Sequence, residues 1–203
     1  MSGEHYFSSD PGSNARPKRI SAVLAGREVE LTTAGGVFSP GHLDGGTAVL
    51  LRTVPDPPPG GCLLDLGCGW GPIALTMALD SPRATVYAVD VNARALDLVR
   101  ANADQLHMTN IIACRPEEVP GDVEFTAIWS NPPIRVGKAE LHAILGSWLP
   151  RLEPGSDAHL VAAKHLGADS LQRWIGDELG SGYAVQRVET AKGFRVIRVR
   201  RLD

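Results

Sequence analysis

Long apolar runs are missing from this 203-residue chain. No stretch reaches the roughly 18 apolar residues that a membrane-spanning helix needs. The start, MSGEHYFSSDPGS, lacks the apolar core of a secretory signal. Cysteine is scarce: Cys62, Cys68 and Cys114 are odd in number and have no paired spacing. They indicate neither a disulfide framework nor a zinc site, and they fit a reducing, cytoplasmic setting. The six histidines do not pair with cysteines or carboxylates at metal spacing, so no metal is expected. An excess of positive charge is missing too. Lys and Arg total 20 against 23 Asp and Glu, for a net charge of -3. Bulk charge therefore does not announce a nucleic-acid binder, and any such reading must rest on local patches. No internal repeat is visible.

What is present is ordinary for a globular domain: 43% apolar and 21% charged residues, in a chain long enough for one good core. Residues 1–20, rich in Ser, Gly, Pro and Asn, read as an N-terminal arm, with Tyr6 and Phe7 as candidate anchors. Residues 21–203 read as a single catalytic domain, divided into a lid or cap segment (21–56) and a core (62–203). Within the cap, residues 19–39 alternate weakly and turn at Ala25-Gly26, which predicts a small hairpin. Residues 43–54 read as a helix with Thr47 in its first turn, and DPPPGG (56–61) is a stiff linker.

From Cys62 onward the pattern changes. Short apolar strands at 62–67, 85–90, 111–113, 123–130 and 158–163 alternate with helices at 72–79, 93–106, 139–149 and 170–179. Two further strands, 183–189 and 194–200, are joined by TAKG and should pair as an antiparallel hairpin. Alternating strands and helices make an α/β, Rossmann-like, doubly wound sheet, with a ligand crevice at the carboxyl ends of the strands.

The first strand runs into DLGCGWGP, with Asp65, Gly67, Gly69 and Gly71. The spacing is G-x-G-x-G, not the G-x-G-x-x-G of dinucleotide enzymes. A carboxylate at Asp65 suits an ammonium and repels a pyrophosphate. Asp90, at the tip of the second strand, is placed to take both hydroxyls of a ribose. A ribose and a cation without a phosphate describe S-adenosylmethionine. The plain alternatives are a tight strand-to-helix turn and a helix cap that bind nothing.

The fourth strand ends in Asn131-Pro132-Pro133. Neither proline can donate to a sheet ladder, and each holds φ near about -65°. The corner presents the Asn131 side-chain oxygen and the Pro132 carbonyl as preset acceptors for an NH2 donor. Held this way, a planar amine aims its lone pair at a methyl sulfonium, and catalysis needs positioning more than a strong base. The plain alternative is a rigid turn.

At this point the chain resembles the class I S-adenosylmethionine-dependent methyltransferases. Within them it is similar to the small-domain group that includes the RsmC-like ribosomal RNA guanine methyltransferases. The matching stretches are GVFSPGHLDGGTAVLL (36–51), LLDLGCGWGPIAL (63–75), VYAVDVNARALDLVRAN (86–102), SNPPIRVGKAELHAIL (130–145) and KGFRVIRVR near the C-terminus. The resemblance implies a seven-stranded sheet whose last strand is antiparallel. It also implies methylation of a guanine exocyclic amine in small-subunit rRNA, with rRNA or the small subunit as partner. Because members with two tandem domains exist, the chain is expected to find its RNA without a second domain.

Carried over by residue, Asp65, Gly67, Gly69 and Gly71 surround the methionine part of the cofactor. Asp90 takes the ribose with Asn92 behind it, and Phe38 and Thr47 wall the pocket. Asn131, Pro132 and Pro133 hold the target amine, and Ile134 touches the base face. After the third strand, Arg115 and Pro116 stand where the group often has an acid or amide near the adenine, and Glu117 is the substitute candidate. An aliphatic Ile134, where protein-amide and adenine methylators tend to carry an aromatic, tilts the reading toward guanine. The other readings are a methyltransferase for a protein glutamine amide or a small-molecule amine, and a non-catalytic cofactor-binding RNA scaffold.

Two stretches are locally basic. Residues 14–27 carry four cations and no acid, and the last 17 residues carry six against Glu189 and Asp203. Both are candidates for phosphate contact. For the C-terminal run the competing reading is a charged edge that resists aggregation. Arg135 and Lys138 follow the corner, and Lys164-His165 stand at the crevice rim. Trp129 reads as core and Trp70 as packing for the glycine loop.

Overall fold

In the computed structural model, which describes residues 16–203, a two-stranded sheet sits beside a seven-stranded one. Most of the N-terminal arm, with Tyr6 and Phe7, lies outside the described residues. The small sheet is the expected hairpin, β1 (Lys18–Leu24) and β2 (Arg27–Thr33). Its turn holds Ala25 at φ 50° and Gly26 at φ 70°. Two successive positive-φ residues give the primed turn whose twist matches that of the strands.

The large sheet comprises β3 (Cys62–Leu66), β4 (Thr85–Val89), β5 (Ile111–Cys114), β6 (Phe125–Ser130), β7 (Leu152–Ala163), β8 (Tyr183–Ala191) and β9 (Phe194–Arg201). Its order is β5-β4-β3-β6-β7-β9-β8, parallel except for β9, which runs against both β7 and β8. The helices are α1 (Gly45–Thr53), α2 (Pro72–Asp80), α3 (Ala93–Gln105), α4 (Lys138–Trp148) and α5 (Ala168–Leu179). This is the class I methyltransferase sheet expected from the sequence. The one large boundary difference is β7, which begins at Leu152 instead of 158. A register shift between Phe125 and Ala127 of β6 lets Pro154 and Gly155 ride in the strand as a bulge.

Alternation along the strands divides the core. Leu64, Leu66 and Ile128 face α4 and α5, whereas Leu63, Val86, Ala127 and Trp129 face α1, α2 and α3. A third cluster joins the hairpin (Leu24, Leu31) to Trp70, Leu75 and Leu98. The cap hairpin therefore has a core in common with α2 and α3.

Asn102, fully buried on α3, fastens that hairpin. Its Oδ1 accepts from the Thr32 N–H at 2.7 Å, and its Nδ2 donates to the Thr32 carbonyl at 2.9 Å and the Trp70 carbonyl at 3.1 Å. The amide completes the backbone pairing of β2 as a neighbouring strand would.

The C-terminal arginines have partners inside the sheet. Arg195 pairs with Asp169, Arg198 and Arg200 share Asp157, and Arg201 pairs with Glu124. These four lie on β9, an interior strand paired on both sides, so they form no charged edge, and their charge is met by acids of the fold.

Replacing Asn102 by Ala leaves the Thr32 and Trp70 backbone groups without this partner. The expected loss is about 2–4 kcal/mol of unfolding free energy, read from urea denaturation. A loss below about 0.5 kcal/mol, the scale of an ordinary surface change, contradicts the fastening role.

Candidate active site

The site is built where β3, β4 and β6 end side by side. The Gly67 and Cys68 N–H groups both donate to the Val89 carbonyl, at 2.8 and 3.0 Å, pinning the glycine loop to the end of β4. The loop closes on α2 through Gly71, whose φ is 98°. A Cβ there would stand 3.1 Å from the Val99 side chain, so both conformation and space call for glycine. At Gly69 a Cβ would meet nothing within 4 Å. Phe38, Thr47, Gly67, Gly69 and Asn131 line one crevice, together with Ser39, Asp44, Cys68, Trp70, Pro72 and Ile73.

Asp90 stands at the loop's edge. Its Oδ2 accepts from the Gly69 N–H and its Oδ1 from the Asn92 N–H, each at 2.9 Å. The Val91 N–H bonds the carboxylate as well, and of its roughly four acceptor sites at least one is left for a ribose hydroxyl. Burial pushes its carboxyl above the usual range, with the backbone hydrogen bonds opposing.

Two expected ligand contacts are placed differently. Asp65 is fully buried beneath the loop, where its Oδ2 accepts from the Ala74 N–H at 2.9 Å and its Oδ1 has no partner. It supports the start of α2 and is not among the residues lining the crevice. Burial pushes its carboxyl up to about 8. Asn92 is 1% exposed. Its Oδ1 caps α3 by accepting from the Arg94 N–H, and its Nδ2 donates to the Gly36 carbonyl at 2.8 Å. It ties the cap segment to α3. Trp70 packs the loop, with Nε1 donating to the Ser39 carbonyl.

The Asn-Pro-Pro corner is more organised than the sequence suggests. Asn131 Nδ2 donates to Asp44 Oδ2 at 2.8 Å and to Thr47 Oγ1 at 3.0 Å. A carboxylate oxygen only accepts, which fixes the amide's orientation: both N–H groups turn to α1, and Oδ1 is left for the crevice. Thr47 thus bonds the Asn131 amide, where a contact to cofactor was expected. Pro133 lies at φ -74°, ψ 70°, and the Ile134 N–H donates to the Pro132 carbonyl at 2.8 Å. That is an inverse γ-turn. The Pro132 carbonyl therefore has one acceptor position in use and one remaining. Ile134 opens the short helical turn Ile134–Val136, half-buried between the corner and α4.

Asp44 is the residue that the sequence reading passed over. Its Oδ2 also accepts from the Gly46 and Thr47 N–H groups, at 2.7 and 3.1 Å, capping α1. Asp-Gly-Gly-Thr ahead of an apolar helix is an N-cap pattern, and that signal was available.

A family model described as the methyltransferase small domain matches residues 28–198. The chain belongs to this family. It is 33% identical to the uncharacterized protein YbxB of Bacillus subtilis, over 98% of this chain and 99% of that one. It is 32% identical to ribosomal RNA small subunit methyltransferase C of Pseudomonas aeruginosa, over 95% of this chain and 57% of that protein. A solved structure of the T. thermophilus 16S rRNA N2 G1207 methyltransferase (RsmC), in complex with AdoMet and guanosine, superposes with a TM-score of 0.79 at 25% identity. That match covers 94% of this chain and 52% of that one. The chain thus spans somewhat over half the length of these two RNA methyltransferases. S-adenosylmethionine is the cofactor of this chain.

Asp65 gives the site a pH signature. Its folded carboxyl titrates near 8 against an ordinary value of 3.8, so the folded chain holds a proton that the unfolded chain releases. Its contribution is full below pH about 4 and is lost as pH rises toward about 8, by at most about 1.4 kcal/mol per pH unit. In cofactor-free protein, the melting temperature of Asp65→Asn minus that of wild type should climb across this window and then level off. A difference independent of pH contradicts the buried, protonated carboxyl.

Proposed function

We propose that this chain transfers a methyl group from S-adenosylmethionine to the exocyclic amine of a guanine in small-subunit ribosomal RNA. The observation that carries the reading is the oriented Asn131 amide, clasped by Asp44 and Thr47 with its oxygen facing the crevice beside the glycine loop. The guanosine and AdoMet named for the T. thermophilus relative support the choice of substrate.

S-adenosylmethionine supplies the electrophilic methyl and departs as the neutral thioether. The chain does the rest by placement. Asp90 holds a ribose hydroxyl through its remaining acceptor capacity. Gly67 and Gly69 let backbone approach the methionine end, and Gly71 sets the turn into α2. Phe38, 42% exposed at the crevice mouth, walls it. Asn131 Oδ1 and the remaining acceptor position of Pro132 receive the two amine N–H groups. Their spacing turns the amine lone pair toward the methyl, and Ile134 supports the base face. The attacking nitrogen is neutral, so no base is required before the N–C bond forms. The extra proton passes to solvent afterwards. Preset acceptors of this kind cost no reorganisation during the reaction.

Asp44 acts through Asn131 and is a positioning residue. Asn131→Ala should cut kcat about 100-fold or more, while cofactor affinity stays within about threefold of wild type (roughly 0.6 kcal/mol). At position 44 the cap and the clasp separate. Asp44→Ser keeps a good N-cap but is too short to reach Asn131, so it should melt near wild type and lose most of kcat. Asp44→Asn keeps an acceptor at the same reach and should restore kcat. Equal activity in the Ser and Asn variants contradicts the clasp.

The reaction is tested with radiolabelled S-adenosylmethionine offered to naked rRNA, small ribosomal subunits and total protein from cells lacking this gene. Label recovered as N2-methylguanine is the expected outcome and identifies the RNA form used. Label in protein alone reassigns the Asn131 corner to an amide substrate. Tight cofactor binding with no label anywhere reassigns the chain to a scaffold.

A further inference from the structure

Cations at the carboxyl end of the sheet differ from those of β9. The β9 arginines are paired with acids, as described above. Among the described residues, Lys138, Lys164 and Lys192 have no acidic partner. All three stand at the end of the sheet that carries Asn131. Lys138 begins α4 just past the corner, Lys164 follows β7, and Lys192 is in the β8–β9 turn. The last two are neighbours, because the Lys164 N–H donates to the Gly193 carbonyl at 2.8 Å. Lys164 and Lys192 are exposed.

Lys138 lines a groove of about 240 Å³ bounded by α4 and the start of α5, and Lys164 precedes its lining residue Leu166 by two positions. Leu141, Ala168 and Leu171 form an apolar floor, and Lys138 and His142 stand on one wall. Leu166 at the mouth is 43% exposed. Ile134 lines this groove too, so it is continuous with the corner that holds the target amine. The volume is below the roughly 300–1,000 Å³ of pockets for drug-sized ligands, and suits a single planar base. Of the acids nearby, Glu178 acts on His142 of the wall, and the other two are turned aside. Asp169 is engaged by Arg195, and Glu140, two residues from Lys138 on α4, does not face the same side.

We propose that the α4–α5 groove seats the base of the nucleotide next to the methylated guanine, with Lys138 and Lys164 on the adjoining phosphates and Lys192 on the phosphate beyond. The inference rests on the RNA reading above. An apolar floor takes a base face of any sequence, and unpaired lysines take backbone phosphates. Together they orient the RNA along the carboxyl end of the sheet, from the β6 corner past β7 to the β8–β9 turn. A single-stranded entry of this kind also favours a target base that is already unstacked.

The test measures methylation of rRNA by full-length wild type, the Lys164→Glu/Lys192→Glu double variant, Leu166→Ser, and Arg187→Glu as a control on the exposed β8 edge. The double variant should raise KM for RNA at least tenfold, with kcat at saturation and cofactor Kd within about threefold of wild type. It should also flatten the dependence of log KM on log salt by about 1–2. Leu166→Ser should raise KM several-fold with the salt slope unchanged, and Arg187→Glu should resemble wild type. A KM for the double variant within twofold of wild type, or no larger than that of Arg187→Glu, overturns the placement while leaving the RNA reading intact. Absence of RNA methylation by wild type itself overturns both.

Discussion

One carboxylate oxygen, Oδ2 of Asp44, is shared by the first turn of α1 and by an amide 87 residues away. Everything about the candidate chemistry depends on that sharing. An asparagine at the end of a strand has a free rotor, and either end of its amide can face a ligand. With both N–H groups committed to Asp44 and Thr47, one end is selected. The helix cap and the catalytic orientation are thus one interaction. The stability of α1 contributes to the precision of the corner, and the rigid Pro132-Pro133 turn holds the other side still.

The acids around the glycine loop divide their work by depth. Asp65 lies under the loop, capping the start of α2 with one oxygen and leaving the other unpaired in an apolar setting. That environment disfavours charge, and the nearby Asp90 disfavours it further. Asp90, at the edge, takes the backbone N–H groups of Gly69, Val91 and Asn92 and keeps capacity for a ligand. The deeper carboxyl is therefore the one that stays protonated near neutral pH, and the shallower one is the group placed to bind. The neutral Asp65 carboxyl limits the repulsion that two close carboxylates would otherwise impose beneath a loop meant to receive a cofactor.

Much of the fold was legible because its signals are local. The primed turns at Ala25-Gly26 and Lys192-Gly193, the proline opening α2 and the period-2 strands each state their conformation within a few residues. The glycine loop and the corner were legible for the same reason. What stayed hidden was long-range polar pairing. Nothing near Asn102 in the sequence signals its pairing with Thr32, and nothing near Asp44 signals its pairing with Asn131. Asp65 and Asn92 were assigned to the ligand on their place in motifs, and three-dimensional packing turned both toward backbone. β7 was shortened because Pro154 and Gly155 signal a turn, whereas a bulge carries them within the strand. The C-terminal arginines looked like an RNA patch because their partners Asp157, Asp169 and Glu124 are distant in sequence.

The antiparallel strand that distinguishes this sheet also reaches the catalytic end. β9 begins at Phe194, against the first residues of α1. A Cβ on Gly46 would stand 3.0 Å from the Phe194 ring and equally close to Asp44 Oδ2. Glycine at 46 therefore makes room both for the ring and for the carboxylate that clasps Asn131. The same hairpin turn is bonded to Lys164 through the Gly193 carbonyl. Inserting β9 between β7 and β8 places one aromatic side chain behind the helix cap and one cationic turn beside the crevice rim. The hairpin is thus more than an edge that closes the sheet. It is the back wall of the clasp, which couples the C-terminal segment to the orientation of an amide more than 60 residues earlier in the chain.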